Sequence, residues 1–259
     1  MKKYIVSVIF LLTVLGGGMN ASFLFHDIGY ANHFGMFGHH ATFSMYENPA
    51  LMESNFAAYG SFSRRYGFSE LDETAVAVEF SQGTFSYGLY AYTFQALPYQ
   101  EQEAGICINK KMLPAITIGI TIKALRLTAV ENAYTAFSYD IGFSSRYKNH
   151  TLALSVKDIE KPMLNERIAM TSIAKYEYCT TGFTFSMKYV SISSLYDHWL
   201  LGCDYAINKW IAASYAFRLK NGEHRAGLRF TQNKFFINIG YTLPAELDGY
   251  LFSEAGIRW

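Results

Sequence analysis

The 259-residue chain has five prolines, three cysteines and only 17% charged residues, against roughly 25% charge in an ordinary soluble protein. Cys107, Cys179 and Cys203 are odd in number and widely spaced, which excludes a disulfide framework and a C-x-x-C metal site. Cys107 and Cys203 sit inside strand-like patterns, where cysteine serves as a small apolar filler. Neither sign of charge dominates: 22 Lys+Arg face 21 Asp+Glu, a formal net charge of +1. That balance lacks the concentrated basic stripe that nucleic-acid binding calls for. Long apolar runs are absent beyond residue 18, and the mean hydropathy is +0.06, so a helical membrane protein is excluded as well. The sequence contains no G-x-S-x-G, no H-E-x-x-H and no glycine-rich phosphate loop leading into a helix, so no enzyme and no cofactor are expected. His150 and His198 are the loosest of candidates for a catalytic base. What the chain has in excess is aromatics: 21 Phe, 20 Tyr and 3 Trp.

The one apolar run, 4–18, follows Lys2 and Lys3 and leads to Gly18-Met19-Asn20-Ala21. A basic start, a short apolar stretch and a small residue at its end read as a secretory signal peptide. We therefore expect residues 1–21 to be removed after Ala21 and the rest to be exported by the Sec route. The run is short for a membrane span, and no cysteine near the cut offers a lipid anchor.

From about residue 56 one pattern recurs, an alternation of apolar with small or polar residues ended by a turn signal. In Ile116-Thr117-Ile118-Gly119-Ile120-Thr121-Ile122-Lys123 every even position is isoleucine. Period two over eight residues means a strand with one greasy face. The same alternation runs through 181–189 and 225–231, and fourteen such runs can be counted between 56 and 259. Connections alternate between tight turns, such as Gln82-Gly83 and Asn233-Lys234, and longer loops, such as 67–73 and 158–167. Tight turns at one rim and longer loops at the other are expected of an outer-membrane barrel. About 15 residues are available for each strand and turn if the barrel has fourteen strands, and twelve would also fit.

Alternation alone does not say which face meets water, so a soluble sandwich or lipocalin-like barrel shares the pattern. The aromatic-rich apolar set and the weakly charged polar set favour the membrane. So does the run Ile257-Arg258-Trp259, a closing aromatic of the kind that serves as an assembly signal, with Trp259 the residue concerned. The expected fold is all-β: a transmembrane antiparallel barrel of about fourteen strands. Outer-membrane lipid and the barrel-assembly machinery are its expected partners, with no nucleic acid among them.

Residues 22–53 break the alternation. They carry Ser22-Phe23-Leu24, Gly35-Met36-Phe37-Gly38-His39-His40-Ala41 and Asn48-Pro49-Ala50-Leu51. This resembles the amino-terminal signature of the PorV/PorQ group within the FadL-like outer-membrane barrels, which share Gly-Met-Gly-Gly-Ala followed by Asn-Pro-Ala-Gly-Leu. Here Phe37 stands at a glycine position and Leu51 follows Ala50 directly. Phe68-Ser69-Glu70-Leu71, Ile118-Gly119-Ile120 and Asp140-Ile141-Gly142 resemble further motifs of the group. The resemblance implies a barrel over 54–259 and an amino-terminal hatch over 22–53, folded inside or across the lumen. It also implies one of two functions. The PorV/PorQ likeness implies a structural or binding component of the outer membrane, serving type IX-like secretion with secretion-system or periplasmic proteins as partners. The wider FadL likeness implies a channel admitting hydrophobic small molecules.

Candidate site residues follow from these readings. Gly35, Gly38, Asn48, Pro49, Ala50 and Leu51 form the hatch and its turn; Pro49 fixes its own φ and holds Asn48 extended, redirecting the chain towards the first strand. Strand parity turns Glu79, Lys123, Asp140, Lys188, Asp204, Arg218, Arg225 and Arg229 into the lumen. There they pair with one another and with the hatch, or the arginines form a weakly anion-selective surface. His26, His33, His39 and His40 crowd the hatch, but adjacent His39 and His40 do not easily face one ion, and no metal is expected. Parity also suggests a lumen wall of small, hydroxylated and charged residues with no greasy conduit.

Overall fold

The computed structural model describes residues 44–64, 71–96, 98–130, 132–164, 168–192, 196–219, 222–243 and 249–259. The expected hatch residues 22–43, with Gly35, Gly38 and the four histidines, and the expected signal peptide lie outside them. A single helical turn, α1 (Ser44–Glu47), precedes a 3-10 turn, Pro49–Leu51. Fourteen strands follow. They are β1 (Phe56–Arg64), β2 (Leu71–Gln82), β3 (Phe85–Ala96), β4 (Tyr99–Leu113) and β5 (Ile116–Ala129). Next come β6 (Asn132–Tyr147), β7 (His150–Lys157), β8 (Thr171–Thr180), β9 (Phe183–Ile192) and β10 (Tyr196–Ala206). The last are β11 (Ile211–Arg218), β12 (Glu223–Gln232), β13 (Phe235–Leu243) and β14 (Tyr250–Arg258). Each pairs antiparallel with its sequence neighbours, and β1 pairs with β14. The barrel is closed, which removes every free strand edge.

Local chemistry sets the short turns. The two-residue connections after β2, β6, β8 and β12 each take one residue to positive φ: Gly83, Lys148, Gly182 and Asn233. Gly83, at +65°, pays no Cβ penalty there, and asparagine tolerates the left-handed region better than most residues. At the seam, the Trp259 N–H donates to the Phe56 carbonyl at 2.8 Å, and its ring meets Phe56 edge-on at 5.4 Å.

The face question is settled by burial. Ile118, Ile120 and Ile122 are exposed, whereas Gly119, Thr121 and Lys123 are buried. Around the waist the outward residues are aliphatic, among them Val76, Leu89, Ile106, Leu152 and Ile239. At the tight-turn rim they become aromatic, with Phe85, Tyr147, Tyr205, Trp210 and Phe235 exposed. Phe62, Phe137, Trp199 and Tyr215 do the same towards the loop rim. Among the described residues, strand charges on the outside occur only near strand ends: Arg64, Asp72, Lys110, Arg126 and Asp197. An aliphatic belt between aromatic girdles is what hydrocarbon and its interfaces select. A soluble barrel would have the opposite polarity, so the lipocalin-like alternative falls.

Arginine at Ile120, outward near the waist, is accordingly expected to cost about 2–4 kcal/mol. Urea titration of protein refolded into lipid vesicles would read this, with Ile120→Leu as a near-neutral control. Sequence parity also suggests that arginine is tolerated far better on the opposite face, at Thr117 or Thr121. The structure corrects this at Thr121. Thr121 is buried, with its hydroxyl 3.2 Å from Cys107 Sγ, so an added guanidinium has no room.

Candidate functional site in the barrel lumen

The chain from Met45 to Met52 runs through the lumen at the tight-turn end, and the wall is built around it. Asn48 caps the 3-10 turn: its Oδ1 accepts from the Ala50 N–H at 2.9 Å. Its Nδ2 donates to two wall carbonyls, Phe143 at 3.2 Å and Leu154 at 2.9 Å, on paired positions of β6 and β7. A buried backbone must find partners for its carbonyls, and wall side chains supply them. Asn109 Nδ2 donates to the Pro49 and Met52 carbonyls at 3.0 Å each. Ser144 Oγ donates to the Ala50 carbonyl at 3.0 Å, and Ser155 Oγ to the Glu47 carbonyl at 2.9 Å.

Two glycines make this seat possible. A Cβ on Gly119 would stand 2.5 Å from the Pro49 carbonyl carbon, and one on Gly142 would overlap the Asn48 side-chain oxygen. The Ile-Gly-Ile and Asp-Ile-Gly segments are therefore two sides of one cradle, and Asn-Pro-Ala is what lies in it. The turn does redirect the chain towards β1, but it is equally a plug held by side-chain donors.

Deeper in the lumen, Met45 and Tyr46 are buried. The Tyr46 ring packs edge-on against Tyr90 at 5.0 Å, with the Lys157 ammonium 3.7 Å from its centre. Its hydroxyl donates to Glu103 at 3.1 Å, and the Tyr90 hydroxyl donates to the same carboxylate. Lys123 stands beside them. Its ammonium lies 3.0 Å from Asp140, 3.0 Å from Asp158 and 3.8 Å from Glu103. Asp158 belongs to the connection after β7, so this cluster ties plug, wall and loop together. On the other side of the plug, Lys188 reaches Glu47 at 3.4 Å.

The charges expected from parity fall as follows. Glu79 is buried at the tight-turn end, paired in register with Ala57 of β1. Lys123, Asp140 and Lys188 are buried within the plug network. Arg218 and Arg225 are buried near the loop end and both turn to Glu223, Arg218 at 3.5 Å. Asp204 and Arg229 are half-buried and line a small recess, with room for about one water, together with Ser214, Gly227, Asn238 and Phe252. Asn238 donates to Glu254 at 2.6 Å. The arginines thus share acidic neighbours and form no bare anion-selective surface. His198 is buried facing inward on β10, whereas His150 is exposed on β7 beside Tyr176. The two loose candidates for a base are not brought together.

Sequence reasoning missed Glu47, Glu103, Asp158, Lys175, Glu177, Glu223 and Glu254, all buried. Lys175-Tyr176-Glu177-Tyr178 carries a readable signal, since charge alternates there with aromatics; Lys175 meets Glu177 at 3.0 Å. Glu101-Gln102-Glu103 carries none, because no apolar member fixes its parity.

The absence of a greasy conduit, expected from parity, does not hold at the loop end. Leu125 and Leu127 of β5 pack with Leu164 and Ile168 of the connection between β7 and β8. Val190, Ile192, Leu200, Ala216 and Phe252 form a second inward cluster, against which Ala169 and Ile173 pack. The connection thus lies over both apolar patches. It is fastened by Asp158, whose N–H donates to Asp140 at 2.9 Å and whose carboxylate accepts from Ser138 at 2.8 Å. The lumen thus holds the seated 45–52 segment with its polar network at the tight-turn end, and apolar patches under the connection, beside Arg218 and Glu223, at the loop end.

This closed fourteen-strand barrel has solved counterparts. The toluene transporter TbuX of Ralstonia pickettii aligns with a TM-score of 0.64 at 9% identity, over 83% of this chain and 93% of that one. The monoaromatic hydrocarbon channel CymD aligns at 0.60 and 7% identity, over 83% and 92%. A FadL homologue of Pseudomonas aeruginosa aligns at 0.57 and 8% identity, over 83% and 93%. The fold is that of FadL-like outer-membrane barrels. At such identities the likeness speaks for the fold alone. No sequence-family model and no curated protein sequence matches the chain.

Proposed function

We propose that the protein is an outer-membrane channel that admits small hydrophobic molecules from its loop side and is closed by a plug at its tight-turn side. The observation that carries this reading is the pair of inward apolar clusters under the 158–170 connection, in a lumen that also holds a third apolar cluster along β1–β4, around Met45, Tyr90 and Phe94. A site for a hydrophobic ligand needs concave apolar lining with a few polar groups to orient it, and these clusters with nearby Arg218 and Glu223 supply both. The shared fold of TbuX and CymD, described as a toluene transporter and a monoaromatic hydrocarbon channel, supports the same reading. On it, residues 1–21 direct export, 22–53 form the hatch, and Trp259 acts in assembly. The PorV/PorQ-like role in type IX-like secretion has weaker support. The tight turns leave little surface to grip a secreted protein, and among the described residues no lumen feature calls for one.

Purification of the native protein in mild detergent, followed by mass spectrometry of proteins and small molecules, tests the choice. Stoichiometric hydrophobic molecules with no protein partner are expected. Co-purifying secreted or periplasmic proteins, with no bound hydrophobe, would return the secretion reading to first place.

A further inference from the structure

The formal net charge of +1 conceals an uneven distribution. Four of the six connections at the tight-turn rim carry lysine in or near the turn: Lys110 and Lys111 in the last residues of β4, Lys148 after β6, Lys209 after β10 and Lys234 after β12. All five are exposed, and none forms an ion pair among the described residues. Among the described residues the exposed acid at this rim, Glu53, is already taken by Arg146 at 2.7 Å.

Four of these lysines share a second feature. The ammonium of Lys110 lies 5.2 Å from the Phe85 ring centre, and that of Lys148 lies 5.3 Å from Tyr147. Lys209 stands 4.5 Å from Trp210, and Lys234 stands 4.3 Å from Trp259. All four rings are exposed at the tight-turn rim, where the aromatic girdle sits at the boundary between hydrocarbon and headgroups. Lysine stems lie along apolar surface while the charged end reaches towards water. An ammonium held about one ring-width from a girdle aromatic is therefore at the depth of lipid phosphate.

We propose that this rim is a binding surface for anionic phospholipid headgroups, with Lys110, Lys111, Lys148, Lys209 and Lys234 as its phosphate contacts. Short turns of bacterial barrels face the periplasm, so the surface meets the periplasmic leaflet. Charge complementarity names the partner: several cations spread around a ring, unopposed by acids, attract a leaflet that carries negative headgroups. Each lysine beside the ring also gains from the aromatic face, which limits its wandering and keeps the charge at one depth. The proposal does not depend on what passes through the lumen.

Spin-labelled lipids read the association directly. The full chain would be reconstituted in phosphatidylcholine vesicles with a trace of labelled phosphatidylglycerol or labelled phosphatidylcholine. The expected result is a preference of roughly fivefold or more for phosphatidylglycerol, about what one lysine contributes near a charged membrane surface. It should fall towards unity in a variant carrying Lys110→Gln, Lys111→Gln, Lys148→Asn, Lys209→Gln and Lys234→Gln. Asparagine is chosen at 148 because that residue sits at φ 51°. A salt titration of the unmodified protein gives an independent reading, since screening should erode the preference. Equal association of the two lipids, or a preference indifferent to both salt and the substitutions, would overturn the proposal.

Discussion

Replacing Gly142 with valine is expected to unseat the 48–50 segment and open the tight-turn end of the lumen. The site has no slack. A Cβ there would meet the Asn48 side chain, and Pro49 Cδ would lie 2.9 Å away. Overfilling a packed interior typically costs about 1–3 kcal/mol, and the seated segment, held by side-chain bonds, gives way before the paired strands do. Gly142 itself is paired with Gly119 and Ser155 inside β6, so the barrel should still close. Cells carrying the variant should admit a small hydrophilic antibiotic several-fold faster than cells with the unmodified protein, at unchanged heat-modifiable gel migration. Ile141→Val, one residue away on the lipid face, should leave permeability as it was. Identical permeability in the Gly142→Val protein would mean that the 48–50 segment does not close the lumen.

Lys123→Met is expected to have the largest effect on stability. The ammonium is the cation shared by Asp140, Asp158 and Glu103, and its side chain is fully buried. Removing one partner of a buried ionic group costs about 3–5 kcal/mol, because the charges left behind stay desolvated. Three carboxylates then face one another across a gap. The relief open to them is movement of Asp158, which carries the 158–170 connection. The variant should thus show a lowered unfolding midpoint in urea and faster proteolysis within 158–170. A midpoint within about 0.5 kcal/mol of the unmodified protein, the range of ordinary surface substitutions, would show that the cluster does not fasten the roof.

Period two makes a barrel legible because the lipid face and the lumen face impose opposite demands on successive residues. The Ile116–Lys123 run gives its strand almost unaided, and its orientation once the aromatic excess and scarce charge have pointed to a membrane; the short turns give connectivity. The partners of inward residues are less accessible, since parity says that Lys123 points in without saying that Asp158, 35 positions later, folds back to meet it. Gly119 and Gly142 illustrate the same limit. As sequence they are fragments of a family resemblance, and only the closed barrel reveals that both make room for one proline turn. The apolar loop end escaped for a further reason. Leu164, Ile168 and Ala169 lie in a connection with no periodicity, and Val190 and Ile192 continue a strand whose lower inward positions are Thr184, Ser186 and Lys188. A strand that changes the chemistry of one face along its length reads, by alternation, as one that ends.

The most direct test of the channel is the initial rate at which cells take up an uncharged aromatic hydrocarbon such as toluene, with and without the protein in the outer membrane. The expected result is a several-fold faster rate when the protein is present, with no gain for a hydrophilic solute of similar size. The gain should be lost in Leu164→Lys/Ile168→Lys, where charge is placed among the apolar clusters of the roof. An unchanged hydrocarbon rate in cells that assemble the protein normally, or an equal gain for both solutes, would contradict a hydrophobic route through this lumen.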